Sequence, residues 1–485
     1  MNVVSEKPQL FGTDGVRGVA GEYPLDRPTV LRIGRALGSF LRSAVSHRPL
    51  QVVLGEDTRE SSVWMSRTLA AGLLSKGVEV AYAGVIPTPA VAYLARHHGF
   101  AAGVVVSASH NPYEDNGIKI LSSSGTKLAE AQELEIERAI RAEESEPEVP
   151  ETEPPEAALA VIPKLLDDYV EFLTDLVPRG VPLATYRLVV DCAHGAALRV
   201  APRLLKELGV EAVILHAEPS GRNINLACGS LHPEAMAAET LSRAAHLGVA
   251  FDGDADRAIF ATAEGSVVDG DHVLFALAPY FKSRGRLKAN AVVGTLMSNL
   301  GMELALAEEG IGLRRTPVGD KYVLEEMQRS GINLGGEPSG HIIFSDISLA
   351  GDGIVTMLQL LILLAETGEP LSELVRGLKP FPQVIRNVPA AECVPLDSIP
   401  EVAQAVAEFE RQFGKRGRVV VRYSGTQSLA RVMVEAEDSE AIEHYVSQIA
   451  AAIEAAVSVK KSSGAKAQGL TPGTAWSRGG SESAQ

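Results

Sequence analysis

Apolar positions along this chain recur with two alternating periods. Val30, Ile33, Leu37 and Leu41 fall three and four residues apart, the spacing of one helix face, and Gln51–Leu54 after them has the density of a buried strand. The exchange then repeats. A helix is predicted over Ser66–Ser75, with Gly77 where a helix end tolerates positive φ, then a strand over Val78–Ala81, a helix over Thr88–Arg96 and a strand over Val104–Val106. Such alternation predicts a parallel or mostly parallel sheet covered by helices. A second unit predicts strands at Leu188–Asp191, Val210–Leu215 and Val249–Phe251, helices ending at Leu208 and spanning Pro233–Leu247, and a hairpin from Ile259–Thr262 and Val267–Val268. A third opens with a helix around His272–Tyr280 and the strand Ala291–Gly294. The last runs from about Pro380 to Val459 and contains strands Val419–Val421 and Arg431–Glu435.

Length and charge narrow the picture. A chain of 485 residues exceeds the roughly 250–300 that one core supports, so three or four domains are expected. The formal charge of -16 argues against a nucleic-acid-binding surface, so positive charge for an anionic substrate must be concentrated locally. The N-terminus has no basic-then-apolar signal pattern, and the best apolar run, Ile354–Ala365, is too short for a membrane span. Cys192, Cys228 and Cys393 are far apart and odd in number, which fits reduced thiols in packing roles. A cytoplasmic protein is expected. The Glu/Pro-rich stretch 141–157 and the Ser/Gly/Lys-rich residues beyond Lys460 cannot form a core, and predict a flexible acidic insertion and a disordered tail.

Five polar stretches carry candidate chemistry. The strand Val104–Val106 stops at Ser107-Ala108-Ser109-His110-Asn111-Pro112, which delivers Ser109 and His110 to a sheet edge, where α/β folds bind ligands. A serine there is a nucleophile or the cap of a polar turn. Asp252-Gly253-Asp254-Ala255-Asp256-Arg257 follows the strand Val249–Phe251. Three carboxylates at alternate positions repel unless a cation intervenes, and their oxygens suit a hard ion such as Mg²⁺; a solvated acidic turn is the plainer alternative. The loop Gly335–His341 (GGEPSGH) sets Glu337, Ser339 and His341 at alternate positions, suited to sugar hydroxyls or to a turn braced by its own side chains. Arg422–Arg431 (RYSGTQSLAR) offers donors from Ser424, Gly425 and Thr426 between Arg422 and Arg431, a phosphate cradle or a hairpin turn with two exposed arginines. Near the N-terminus, the three glycines of Phe11–Gly18 (FGTDGVRG) predict a loop from which Arg17 could fork onto a phosphate or carboxylate, or a surface turn in which Arg17 is solvated. Together these are the parts needed to move a phosphoryl group on a phosphosugar, a reaction carried by positioning and charge neutralisation.

The motifs GTDGVRG, SASHNP, DGDADR, GEPSGH and RYSGTQSLAR resemble, in order and spacing, those of the α-D-phosphohexomutase superfamily, from Phe11 to about Ala450. Within it, Val190–Ala196 (VDCAHGA), Asn223–Glu234 (NINLACGSLHPE) and Val318–Met327 (VGDKYVLEEM) are most similar to the bacterial phosphoglucosamine mutases. The resemblance implies an α/β fold of four domains around a central cleft, three related mixed α/β domains and a smaller α+β C-terminal one, here 1–165, 166–268, 269–379 and 380–459. It implies interconversion of glucosamine 6-phosphate and glucosamine 1-phosphate through a phosphoserine and a 1,6-bisphosphate intermediate, on the route to UDP-N-acetylglucosamine. Ser109 would carry the phosphoryl group, with Arg17, His110 and Lys119 as its catalytic neighbours. One Mg²⁺ per chain would bind Asp252, Asp254, Asp256 and a phosphoserine oxygen. Arg257, Lys321, Glu337, Ser339 and His341 would hold the sugar phosphate, while Arg422, Ser424, Gly425, Thr426 and Arg431 would hold the phosphate that is not reacting. Glucose or glucosamine 1,6-bisphosphate would serve as activator, and a homodimer is the default expectation. Lys119, crowded by Arg17 and a metal, is expected to lose its proton readily and so is a candidate general base. The chain departs from the family pattern at Gln427 and Ser428, in place of a usual Glu-Pro, and at Pro338, where glutamine is more usual. A phosphomannomutase/phosphoglucomutase and a catalytically silent phosphosugar-binding regulator are the alternatives; retention of Ser109 and all three aspartates disfavours the second.

Overall fold

A computed structural model describes residues 10–12, 14–44, 50–143, 159–390, 394–423 and 429–463, with the side chains of 458–463 excepted. All but the start of the acidic insertion, most of the predicted tail, Cys393 and the loop 424–428 lie outside these residues. The chain divides into two compact units, Met1–Thr295 with Val318–Arg376, and Leu296–Pro317 with Gly377–Gln485.

In the first unit the strands Gln51–Glu56, Glu79–Val85 and Ala102–Val106 run parallel, as the alternation predicts. The next strand is Asp115–Ser122, which returns antiparallel beside Ala102–Val106 and sets Lys119 opposite Val105. Val16–Val19 then pairs antiparallel on the outer side of Asp115–Ser122. Here the structure corrects the expectation of a loop over Phe11–Gly18. Gly15, at φ +80°, makes the turn, but Val16 is fully buried and Arg17 sits in register with Gly117. The glycines therefore shape the entry to a strand as well as freeing the backbone. The helices Arg27–Ala44 and Glu60–Ser75 cover the sheet, with Val30, Ile33, Leu37 and Leu41 buried as their spacing requires.

A second sheet repeats this plan in the order Val267–Val268, Ala258–Thr262, Leu247–Phe251, Arg187–Asp191, Glu211–Leu215. The helix predicted to reach Leu247 spans only Glu234–Ser242, because the chain turns at Ala244 and the apolar residues from Leu247 belong to a buried strand. Asp191 ties the loops at its end: its two carboxylate oxygens accept from the backbone N–H groups of Ala193 and Gly229. Cys192 and Cys228 are buried beside it, as expected of packing residues. In a third sheet Ala291–Thr295 runs parallel to Leu334–Gly336, which pairs antiparallel with Ile342–Phe344. The predicted sugar loop is thus the turn of a hairpin whose first strand includes Gly335 and Gly336. The apolar run after Asp352 forms the buried helix Gly353–Thr367, capped by the Asp352 carboxylate on the N–H groups of Ile354 and Val355. Among the described residues, no helix is long and apolar enough to cross a membrane.

The second unit is an antiparallel sheet, Gln383–Pro389, Leu429–Ala436, Gly417–Tyr423, packed against the helices Pro400–Phe413 and Ser439–Ser463. Leu296 packs on Val420 and Met433. A buried ion pair, Arg418 Nη2 to Glu435 Oε2 at 2.6 Å, anchors the same segment: Arg418 donates to the carbonyl of Ser298, and Glu435 accepts from the N–H of Leu300.

Candidate active site

Ser109, three residues beyond the strand Ala102–Val106, has a left-handed backbone at φ +54° and is buried. Its Oγ donates to Asp252 Oδ2 at 2.5 Å and lies 3.3 Å from His110 Nδ1. Burial, then the positive charges of Arg257 and Arg17, lowers the His110 pKa to about 4, so the imidazole is neutral at neutral pH.

The aspartate triad lies on the turn after the strand Leu247–Phe251, where Ala255 also adopts a left-handed conformation. Gly253 is needed there because a Cβ would sit 2.6 Å from the Ser109 carbonyl oxygen. All three carboxylates are buried, with one oxygen of each lying within 4.8 Å of the others. Asp254 Oδ1 and Asp256 Oδ1 have no hydrogen-bond partner, an arrangement that costs free energy in a protein interior unless a cation takes those lone pairs. Burial, then Asp256 and Asp254, holds the Asp252 carboxyl well above the usual carboxylate range, a repulsion that a divalent ion removes. All-oxygen donors of this kind suit a hard cation such as Mg²⁺. The triad could hold a metal ion.

Lys119 reaches the triad from the return strand, with Nζ 2.8 Å from Asp254, 3.0 Å from Asp14 and 3.4 Å from Asp256. Burial alone would lower its pKa, but the attraction of Asp14, Asp254 and Asp256 outweighs that, and the ammonium is held well above its ordinary value. The expectation that Lys119 sheds its proton readily is not met. Arg17, the crowding charge in that expectation, is engaged by Asp14, and its Nη1 is also 3.5 Å from Asn111 Oδ1.

The hairpin turn of the third sheet meets the strand that follows the triad through Ala258 N to Gly340 O, and the start of the helix Gly353–Thr367 meets the triad through Gly353 N to Ala255 O, both 3.1 Å. On the hairpin turn, Ser339 Oγ and His341 Nδ1 are buried without a partner, whereas Glu337 is tied by the N–H of Gly319. Lys321 and His341 line a cavity with Lys119, Asp256 and Asp14. Arg257 lies beside Asp256, with Nε 3.8 Å from Oδ1. In the second unit, Arg422 and Arg431 face each other across adjacent strands, and burial followed by Arg431 lowers the Arg422 pKa. Paired guanidinium groups of this kind favour an anion. Ser424, Gly425 and Thr426 lie outside the described residues.

Sequence models described as phosphoglucomutase/phosphomannomutase match four consecutive stretches: alpha/beta/alpha domain I over residues 8–147, domain II over 167–265, domain III over 269–381 and the C-terminal domain over 386–452. The chain belongs to the phosphoglucomutase/phosphomannomutase family. Among its family relatives, the phosphoglucosamine mutase of Koribacter versatilis is 51% identical, with 94% of this chain and 99% of the relative covered. That of Solibacter usitatus is 48% identical over 91% and 97%. A phosphoglucomutase/phosphomannomutase family protein of Burkholderia thailandensis, 26% identical, superposes with a TM-score of 0.74 over 92% of this chain and 97% of that one. An Aspergillus fumigatus N-acetylphosphoglucosamine mutase, solved with GlcNAc-6P and magnesium, shares the fold at 19% identity and a TM-score of 0.63, covering 92% of this chain and 96% of that one.

Within this phosphoglucomutase/phosphomannomutase fold, the structure brings Ser109, His110, Lys119, Asp252, Asp254, Asp256 and Arg257 together. Sequence reasoning missed Thr88, whose Oγ1 donates to Asp254 Oδ2 at 2.5 Å, and the bridge of Lys127 to Asp14 and Asp320, both at 2.7 Å. The only signal for Thr88 was its position at the start of a predicted helix. Lys127 had none.

Proposed function

We propose that this chain interconverts glucosamine 6-phosphate and glucosamine 1-phosphate through a phosphorylated Ser109. The observation that carries the reading is the Ser109 hydroxyl 2.5 Å from Asp252, with Asp254 and Asp256 completing a buried oxygen cluster around one side of it. The names of the relatives at 48–51% identity support the amino sugar as substrate. In the first half-reaction the P–Oγ bond of phosphoserine breaks as a P–O bond forms to the free sugar hydroxyl, whose proton ends on Ser109 Oγ. The bisphosphate formed then presents its other phosphoryl group to Ser109. In the second, Ser109 Oγ gives up that proton and forms a P–Oγ bond as the other P–O bond of the bisphosphate breaks, and the sugar oxygen released takes the proton. Asp252, Asp254 and Asp256 would hold Mg²⁺, which supplies Lewis-acid withdrawal of charge from the transferring group. Lys119 and Arg17 neutralise charge at the reacting phosphoryl, and Asp14 keeps both cations in place. Glu337 orients the turn on which Ser339 and His341 offer unpartnered polar atoms to the sugar, with Arg257 and Lys321 beside them. Arg422 and Arg431, with Ser424, Gly425 and Thr426 between them, hold the idle phosphate. One Mg²⁺ per chain, charging of Ser109 by glucose or glucosamine 1,6-bisphosphate, a cytoplasmic location and a homodimer complete the proposal.

The test is competition among glucosamine, glucose and mannose 6-phosphates with Mg²⁺. The highest kcat/KM belongs to the amino sugar, and Ser109→Ala reduces turnover by about 10³-fold or more. A higher kcat/KM for glucose or mannose phosphate would replace this reading with the broader hexose mutase.

A further inference from the structure

Ser109 stands in the left-handed backbone region that L-residues other than glycine rarely adopt, so the surroundings must impose it. The imposing groups come from two separate sheets. Below the serine, the buried Asp57 accepts from Ser107 Oγ at 2.6 Å, and that hydroxyl oxygen accepts the N–H of Ser109 at 3.0 Å. Above it, Arg59 Nη2 donates to the carbonyls of Ser109 at 3.2 Å and Asn111 at 2.6 Å. Asn225 Nδ2 donates to the same two carbonyls at 2.9 and 3.0 Å. Arg59 is fully buried and its charge is balanced by Asp57, so its fork is held rigidly. Asn225 comes from the loop after Glu211–Leu215 and is itself left-handed at φ +58°, a conformation asparagine tolerates.

We infer that Arg59 and Asn225 are positioning residues that clamp the two carbonyls flanking His110, fixing the Ser109 hydroxyl against the aspartate triad. Both act on the serine through the backbone. Donation from one arginine and one asparagine to the same pair of carbonyls serves no helix or strand, and it fixes the one turn in which a displacement of the oxygen would separate nucleophile from metal ligands. Since misplacement by about 1 Å can cost about 10²-fold in rate, the clamp acts on kcat and leaves substrate affinity alone.

The inference rests on Ser109 being the phosphoryl carrier. The experiment compares wild type with Asn225→Gly, Arg59→Lys and Ser109→Ala in the full chain with Mg²⁺, measuring kcat, KM, thermal midpoint and the rate at which glucose 1,6-bisphosphate phosphorylates Ser109, read by intact mass. Asn225→Gly keeps the left-handed backbone and removes only the amide; Arg59→Lys keeps the charge beside Asp57 and removes the fork. Each is expected to lower kcat and the phosphorylation rate by about tenfold or more with KM unchanged, at temperatures well below the midpoint. Should Arg59→Lys fail to fold, Asn225→Gly decides. Wild-type kcat in the clamp variants beside an inactive Ser109→Ala would overturn the clamp alone. An active Ser109→Ala would overturn the proposed function, and the clamp with it.

Discussion

Three carboxylates surround the ammonium of Lys119, and the balance of burial against attraction fixes what that side chain can do. They hold it protonated, and in the proposed reaction it acts as a fixed positive charge, so Lys119→Arg is expected to retain at least about tenfold more kcat than Lys119→Gln; equal loss in both would point to a base. Asp352 shows the opposite balance. Burial first, moderated by the helix N–H groups and the Tyr169 hydroxyl, raises its carboxyl from 3.8 to about 6. Between those values the folded chain holds a proton that the unfolded chain has lost. Its stabilising effect is therefore fully present below about pH 4, declines as pH rises to about 6 and is level above, by about 3 kcal/mol in all. Thermal midpoints at pH 4.5 and pH 7 are expected to show Asp352→Asn losing this part of the wild-type pH dependence. Residue identity was legible in the sequence where chemistry needs a rare combination, as with three alternating aspartates after a strand. The state of Lys119 was not, because it is decided by Asp14, a residue distant in sequence whose only visible role was in a glycine-rich turn.

The elements that matter most are two strand ends and the turns that leave them. Parallel strands were readable from the alternation of periods, but the antiparallel return Asp115–Ser122 was hidden, since Asn116, Gly117 and Lys119 interrupt its apolar pattern. Two of these residues have partners of their own: Lys119 reaches the triad, and Asn116 donates to Ser61 and Ser62 on the covering helix. Likewise the helix predicted through Leu247 ended early because helical spacing and strand density cannot be separated across a short polar turn. Where the serine turn and the aspartate turn meet there is no room for a methyl group. Gly253→Ala is expected to push the turns apart, lowering kcat by about 10-fold or more and the thermal midpoint with it, while far-UV circular dichroism changes little.

On the scale of the whole molecule, the family membership was legible because five motifs keep their order over most of the chain. The division into compact units was less so. Leu296–Pro317 is embedded in sequence between segments of the first unit yet belongs to the second, held there by Arg418 and Glu435, and no composition change marks its ends. Breaking a buried ion pair by removing one partner costs about 3–5 kcal/mol, so Glu435→Ala is expected to lower the thermal midpoint markedly, and more than Glu437→Ala, whose pair with Arg416 is exposed. The contact between Ser109 and Asp252 spans 143 positions of sequence. During synthesis the N-terminal sheet can fold as soon as it leaves the ribosome, but its serine then faces no acidic partner. A nascent chain halted before Asp252 emerges should therefore resist phosphorylation however well folded it is, and competence should arrive abruptly once the second sheet closes.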